Sequence, residues 1–279
     1  MLKTLLTRTL SGAVFVALVL GSLIVSPYAF AVLFACFTAI GLYEFYHESA
    51  KAENFSLVML PSILAGVALF VAAFLKASGF SSFPCFAVYV LFVLCVLFAE
   101  LFRKKETPVH NMAFFIMGQA YVALPLSLLN FIVFHPSWQP AWLVILFVTI
   151  WMNDSWAYLF GVTLGKHRMF PRVSPKKSWE GFVGGAAMSL LTGWLCYKYA
   201  ALVFPEFSQV SLDLWQWLLF AEIVVVAATL GDLLESLIKR SFNIKDFGRI
   251  MPGHGGILDR FDSLLAASVA VWAFLQILA

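Results

Sequence analysis

Runs of about 20 predominantly apolar residues, the length an α-helix needs to cross a hydrocarbon core, follow one another along this chain with short polar interruptions. They can be laid at 10–25, 28–46, 57–76, 82–102, 112–134, 141–163, 181–204, 214–238 and 261–278. The fold class expected is all-α: a polytopic integral membrane protein with about nine transmembrane helices. Composition agrees, since 62% of the 279 residues are hydrophobic and 12% charged, with 29 Phe and 9 Trp, a balance foreign to soluble domains. Only Ser26-Pro27 separates the first two runs, so a long bent hairpin is the alternative there.

Lys and Arg set the orientation. With the N-terminus inside, the cytoplasmic segments collect Lys3 and Arg8, Lys51, Arg103 to Lys105, Lys166 to Lys177, and Lys239 to Arg260, and only Lys76 and Lys198 fall on the other side. Cytoplasmic loops are enriched in these residues, so the bias supports an odd number of spans with the C-terminus outside. The expected location is the cell (inner or plasma) membrane, multi-pass, with the N-terminus and any active site cytoplasmic. Met1–Val25 has the basic start and apolar core of a secretory signal. It runs into the second span without a small-x-small cleavage site, and reads as a first anchor. Cys36, Cys85, Cys95 and Cys196 lie inside apolar runs without metal-ligand spacing and read as small buried thiols.

No linker, low-complexity tract or repeat divides the chain, so a single membrane-embedded domain over 1–279 is expected. Its halves differ in kind. Residues 1–140 are mainly anchoring spans, with Glu44 and Glu100 the exceptional charges, whereas 141–279 carries two long basic segments beside Asp154, Asp232, Glu235, Asp259 and Asp262. Chemistry is expected in that second half.

Charge and glycine are densest from Ser236 to Asp262. An ionised group at membrane depth costs at least ~2.5 kcal/mol unless paired, metal-bound or hydrated, which makes a functional site the default reading. Asp232, Glu235, Ser236 and Lys239 follow an i, i+3, i+4, i+7 spacing and share one helix stripe. Asp232 lies roughly 10 Å below the Lys239 end of that helix at 1.5 Å per residue. A structural Glu235–Lys239 ion pair is the alternative for Glu235, while Asp232 has no basic residue three or four positions away. Asp259 and Asp262 open the last helix, where acidic residues are favoured by the macrodipole whatever their function, so helix capping stays open for both. The turn Pro252-Gly253-His254-Gly255-Gly256 can turn backbone N–H groups towards an anion at a helix N-terminus. With Lys239, Arg240, Lys245 and Arg249 before it, it reads as a polyphosphate cradle; re-entrant bends also need glycine. A second cluster runs from Asn153-Asp154 through Tyr158 to Ser174-Pro175-Lys176-Lys177-Ser178-Trp179-Glu180-Gly181 and suits a nucleotide, with lysine for phosphate charge and serine for oxygens. Attraction to anionic lipid is the plainer alternative.

The segment SLIKRSFNIKDFGRIMPGHGGILDRFD, 27 positions long, resembles the signature of the phosphatidate cytidylyltransferase (CDP-diacylglycerol synthase) family: Ser-x-x-Lys-Arg, Lys-Asp-x-Gly, then Pro-x-His-Gly-Gly-x-x-Asp-Arg-x-Asp. Asp154 to Tyr158 and Ser174 to Gly181 resemble two further segments of that family. The likeness covers about 153–262, with Met251 a conservative departure from Leu or Ile.

The resemblance implies a CTP:phosphatidate cytidylyltransferase of phospholipid biosynthesis that makes CDP-diacylglycerol and pyrophosphate. Two anions must then be brought together, so positioning, metal ions and basic side chains carry the catalysis. Asp232 and Asp259 are the expected Mg²⁺ ligands, with room for a second cation. Lys239, Arg240, Lys245 and Arg260 are expected to neutralise phosphates. Asp154, Ser174, Lys176 and Lys177 are expected to hold CTP, and Asp246, His254, Gly255 and Gly256 belong to the binding residues, the part played by His254 being open. The partners implied are CTP, phosphatidic acid and membrane lipid, with no nucleic acid; a homodimer is compatible. A CTP-dependent lipid-alcohol kinase, which would release CDP, is the nearest rival. An ion-coupled transporter is the more distant one, because the charges cluster at one membrane face rather than at the midplane.

Cysteine-accessibility labelling is expected to place positions 105, 176 and 245 on the cytoplasmic side, and labelling of 176 and 245 from opposite sides overturns this topology.

Overall fold

The computed structural model describes residues 2–278 apart from Glu206, Ser208, Gln209 and Ser211, with side chains from Thr9 onward. Ala279, expected outside the cell, and the side chains of Lys3 and Arg8 lie outside the described residues. The helices are α1 (Leu2–Val25), α2 (Pro27–Glu53), α3 (Met59–Ala77), α4 (Cys85–Arg103), α5 (Pro108–Gly118) and α6 (Leu124–Val133), then α7 (Ala141–Thr163), α8 (Trp179–Val203), α9 (Leu214–Ser241) and α10 (Leu258–Leu278). A five-residue π segment, Gln119–Ala123, joins α5 to α6. Among the described residues eight helical stretches are long and apolar enough to cross a membrane, Pro108–Val133 counting as one, and Thr9–Val25 is a shorter apolar helix. The architecture is thus the expected polytopic all-α one, and the chain is an integral multi-pass membrane protein. The first two runs are separate helices: Ser26 accepts the Ala29 N–H at 3.1 Å as N-cap and Pro27 opens α2, the preferred residues for a helix start. All four cysteines are free thiols, but contrary to expectation none is buried within the protein: Cys36 and Cys95 are exposed and Cys85 and Cys196 half-buried.

One element departs from expectation. The loop expected between α7 and α8 contains an antiparallel hairpin, β1 (Arg168–Phe170) paired with β2 (Ser174–Ser178), with Arg168 opposite Ser178 and Phe170 opposite Ser174. Its charged residues masked the strand pattern that apolar alternation would show.

The chain divides into two compact units, Met1–Phe134 with Ser241–Phe261, and His135–Arg240 with Asp262–Ala279. The first contains the α9–α10 loop and is held by aromatic rings. Phe261 lies 5.2 Å from Phe37 and 5.5 Å from Phe15, while Phe45 packs against Phe242 and Phe247 at 6.5 and 6.1 Å. The loop is therefore pinned to α2 at both ends. Polar side chains between helices also pair with one another and with backbone carbonyls, as a hydrocarbon surrounding favours. The Tyr46 hydroxyl donates to the Phe115 carbonyl at 2.9 Å and accepts from Gln119 Nε2, which also donates to the Ser62 carbonyl, each at 2.9 Å.

The second unit has its own core. Trp142, 1% exposed, sits against Phe207, Trp217 and Phe220 with ring centroids 4.8 to 5.9 Å apart. Phe220 in turn meets Phe274 at 6.0 Å. Replacing Trp142 with Ala removes the hub of this cluster and is expected to cost about 3–5 kcal/mol, read as a lowered melting temperature of the detergent-purified protein.

Candidate active site

In the second unit, α7, the hairpin and α9 enclose a cavity of ≈ 460 Å³ lined among others by Asn153, Asp154, Tyr158, Lys176, Lys177 and Asp232. Strand geometry explains how two adjacent lysines do different things, since successive side chains point to opposite faces. Lys176 is exposed, whereas Lys177 is half-buried and its Nζ lies 2.7 Å from Asp232 Oδ2, with a further hydrogen bond to the Thr229 carbonyl at 3.3 Å. This is the basic partner that no local spacing on α9 provides for Asp232. Asp232 Oδ1 accepts from the Ser236 hydroxyl one turn on at 3.3 Å.

The hairpin is held from both sides. Arg168 Nη1 donates to the Lys176 carbonyl at 3.2 Å. Glu180 accepts the His167 N–H at 3.1 Å and meets its ring Nδ1 at 2.6 Å. Ser178, buried, accepts the Gly181 N–H at 3.2 Å and caps α8. The nucleotide-like motif at 174–181 is thus a strand feeding a capped helix, which fixes Lys177 over Asp232.

Two more carboxylates belong here. Asp154 and Asp262 each lie within electrostatic reach of Asp232, and of one another. Lys177 acts on Asp154 and Lys239 on Asp262. Gly231 makes this approach possible: a side chain there would meet the Asp262 carbonyl at 2.7 Å and Ala266 at 2.9 Å, so only glycine lets α9 and α10 pack this closely. Asp262 also accepts the N–H of Ser263 at 2.6 Å, but it lies past the first turn of α10 (Leu258–Leu278) and does not cap that helix. Glu235 is fully buried and its Oε1 takes Lys239 Nζ at 2.6 Å. The i, i+4 ion pair named above as the alternative for Glu235 is formed.

In the first unit, Lys245, Asp246, Arg249, His254, Gly255 and Arg260 line a second cavity of ≈ 590 Å³. Its floor is the glycine turn. Met251 N–H donates to the Gly255 carbonyl at 2.9 Å and His254 N–H to the Met251 carbonyl at 2.9 Å, while Gly255 takes φ +89°, a left-handed conformation costly for any other residue. Ser11 Oγ donates to the Pro252 carbonyl at 3.1 Å and lies 2.8 Å from His254 Nδ1. These contacts tie α1 to the turn at Pro252 and His254. Asp259, 4% exposed, accepts the N–H groups of Phe247 and Gly256 through Oδ2 at 2.9 and 2.8 Å.

Several expected residues therefore come together within a unit: Asp154, Lys176, Lys177 and Asp232 in one, Lys245, Asp246, His254, Gly255 and Arg260 in the other. Asp232 and Asp259 belong to different units. Ser174 and Arg240 line neither cavity. The cradle of backbone N–H groups is altered: those of Gly256, Ile257 and Leu258 point to protein carboxylates. Arg168 on the cavity wall and Glu44 beneath the turn were missed, the former because it reads as one of many loop cations. The signal for Glu44 was its charge inside an apolar run.

Among the described residues no three His, Cys, Asp or Glu side chains gather closely enough to hold a metal by themselves. Mg²⁺ does not need such a cage, since it keeps waters and takes one or two carboxylates plus substrate phosphates. Asp232 and Asp154, which line the same cavity, supply hard oxygen donors of that kind.

Helices, cavities and charges thus define a multi-pass membrane protein with a carboxylate–lysine site on its helix ends. The Cytidylyltransferase family matches residues 6–278. The phosphatidate cytidylyltransferase of Staphylococcus haemolyticus (strain JCSC1435) is 33% identical over 222 residues, covering 78% of this chain and 80% of that protein. The protein of the same name from Staphylococcus aureus (strain COL) is 34% identical over 225 residues, with 78% and 80% covered. That from Staphylococcus epidermidis (strain ATCC 12228 / FDA PCI 1200) is 37% identical over 172 residues, 61% of each chain. The chain belongs to the cytidylyltransferase family and is a nucleotidyltransferase.

Proposed function

We propose that this chain is a CTP:phosphatidate cytidylyltransferase working at the cytoplasmic face of the cell membrane as one catalytic domain. The observation that carries the reading is Lys177 held on Asp232 at 2.7 Å, in a cavity that also receives Asp154 and Lys176, in a chain whose relatives bear that name. An oxygen of the phosphatidate phosphate attacks the α-phosphorus of CTP, the bond to the β-phosphate oxygen breaks, and pyrophosphate leaves. A phosphate monoester is already ionised at neutral pH, so no general base is needed.

Catalysis then rests on bringing two anions together and stabilising the charge on the transferring phosphoryl group. Asp232, with Asp154 in the same cavity, would hold Mg²⁺, which when bound offsets phosphate charge. Asp259, the second acid of the signature, is kept as a further candidate cation ligand; within its own unit it shapes the glycine turn through the N–H groups of Phe247 and Gly256. Lys177 shares the Asp232 carboxylate and exchanges it for phosphate as substrate enters. Lys176, exposed at the cavity wall, Ser174 and Arg168 bind CTP. Lys245, Arg249 and Arg260, with Arg240 and Lys239, neutralise phosphates through their side chains, because the turn's N–H groups already have acceptors. Mg²⁺-dependent pyrophosphate release from CTP by detergent-purified protein, requiring phosphatidic acid, tests the reading; release of CDP instead would replace it with lipid phosphorylation.

Asp232→Asn and Asp259→Asn keep side-chain shape but lose the charge, and each is expected to abolish turnover while leaving membrane insertion intact; near-normal turnover at saturating Mg²⁺ removes that residue from the site. The two lysines are expected to separate kinetically. Lys177→Ala should lower kcat by about 100-fold, whereas Lys176→Ala should raise the KM for CTP roughly tenfold with a smaller fall in kcat, measured with CTP varied at fixed lipid surface concentration.

A further inference from the structure

Glu44 is 3% exposed, deep in the apolar helix α2, and lies more than 200 residues away in sequence from what it touches. Its Oε1 accepts the Ile257 N–H at 3.1 Å and its Oε2 the Leu258 N–H at 2.8 Å. These are donors at the N-terminus of α10, where a helix has no internal acceptors and carries partial positive charge. The contact is the trans counterpart of an N-cap. The loop is also shaped to admit the carboxylate. A Cβ on Gly256 would lie 2.5 Å from either Glu44 oxygen, and one on Gly248 would collide with Oε1. Both glycines of the signature are thus required by Glu44 as much as by the turn itself.

Asp259 holds the same loop from the other side through the N–H groups of Phe247 and Gly256. Two buried carboxylates therefore take four backbone donors, at 247, 256, 257 and 258, and between them set the path of the segment carrying Lys245, Arg249 and His254. Glu44 also borders a neighbouring cavity of ≈ 690 Å³ with Lys245 and Arg249. We propose that Glu44 is a positioning residue of the transfer reaction: through Ile257 and Leu258 it fixes the glycine turn, Asp259 and the phosphate-binding cations. This rests on the cytidylyltransferase reading, in which the turn serves catalysis.

Glu44→Gln keeps the shape but replaces one of the two acceptor oxygens with an NH2 group that faces an N–H donor, and Glu44→Asp keeps the charge on a shorter arm. Hydrogen exchange of the full-length, detergent-solubilised protein is expected to speed up roughly tenfold or more within 244–258 in Glu44→Gln, while α7, α8 and the hairpin keep their protection. On the folded fraction kcat should fall roughly tenfold or more with the KM for CTP changed less than about threefold, and Glu44→Asp should recover part of it. A purely structural role would lower the yield or melting temperature and leave kcat per folded enzyme unchanged. Unchanged exchange in 244–258, or a kcat within about twofold of the parent, overturns the proposal. If Glu44→Gln does not fold, Gly248→Ala, which crowds the same carboxylate, is expected to give the same exchange and kinetic pattern, and a parental pattern overturns it. If the parent itself releases no pyrophosphate, the functional reading fails separately, and the exchange result alone decides whether Glu44 positions the turn.

Discussion

An ionised carboxylate inside a membrane-spanning helix costs about 2.5–3.5 kcal/mol unless something local offsets it, and how Glu44, Glu100, Asp232 and Glu235 are compensated organises this protein. Glu100 is compensated by Arg103 one turn away and by Asn111 Nδ2 at 2.8 Å. Glu235 takes Lys239, Glu44 takes the end of α10, and Asp232 takes Lys177 from a different element. The last differs in kind. Side chains of Glu100 and Glu235 are 4% and 0% exposed, whereas Asp232 is 33% and Lys177 26% exposed. A closed pair is a structural contact whose rupture leaves a buried charge. A pair open to a cavity can trade its partner for a ligand's charge at little cost, which sets Asp232, together with Asp154 on the same cavity, apart from Glu100 and Glu235.

That distinction was only partly legible in the sequence. Span length and hydropathy are local properties, and the nine apolar stretches follow from them. So does the stripe Asp232, Glu235, Ser236 and Lys239, because helical neighbours are set by spacing alone. The pairing of Lys177 with Asp232, 55 positions apart, is not a local property. The sequence marks Asp232 only by the absence of a basic neighbour on its own helix, a gap that the hairpin fills. The hairpin itself was hidden because its residues are charged, and the π segment Gln119–Ala123 because a one-residue widening of a helix leaves no apolar signature.

The glycine turn shows where pattern and geometry part. Glycines before a helix are compatible with an anion cradle, but the same conformations suit any acceptor, and here the acceptors are Glu44 and Asp259. Composition separates neither case. The deciding observation is where the N–H groups point, and the clue available earlier was an acid in α2 that nothing on its own helix neutralises.

A helix N-terminus filled by a protein carboxylate has a consequence for recognition. Its positive potential is already offset by Glu44, so an incoming phosphate meets the cations on the loop rather than the helix end. Lys245, Arg249 and Arg260 line that cavity and are exposed, and their long side chains have rotatable bonds that a backbone donor lacks. The rigidity comes instead from beneath: two fixed carboxylates set the loop's course, and aromatic contacts of Phe242, Phe247 and Phe261 press it onto α2 and its neighbours. In the proposed reaction pre-organisation would thereby be divided, with acids and rings holding the backbone and exposed cations meeting the substrate. Such a division suits a reaction between a soluble nucleotide and a lipid, whose phosphates arrive from different phases and must be gathered by charges able to follow them.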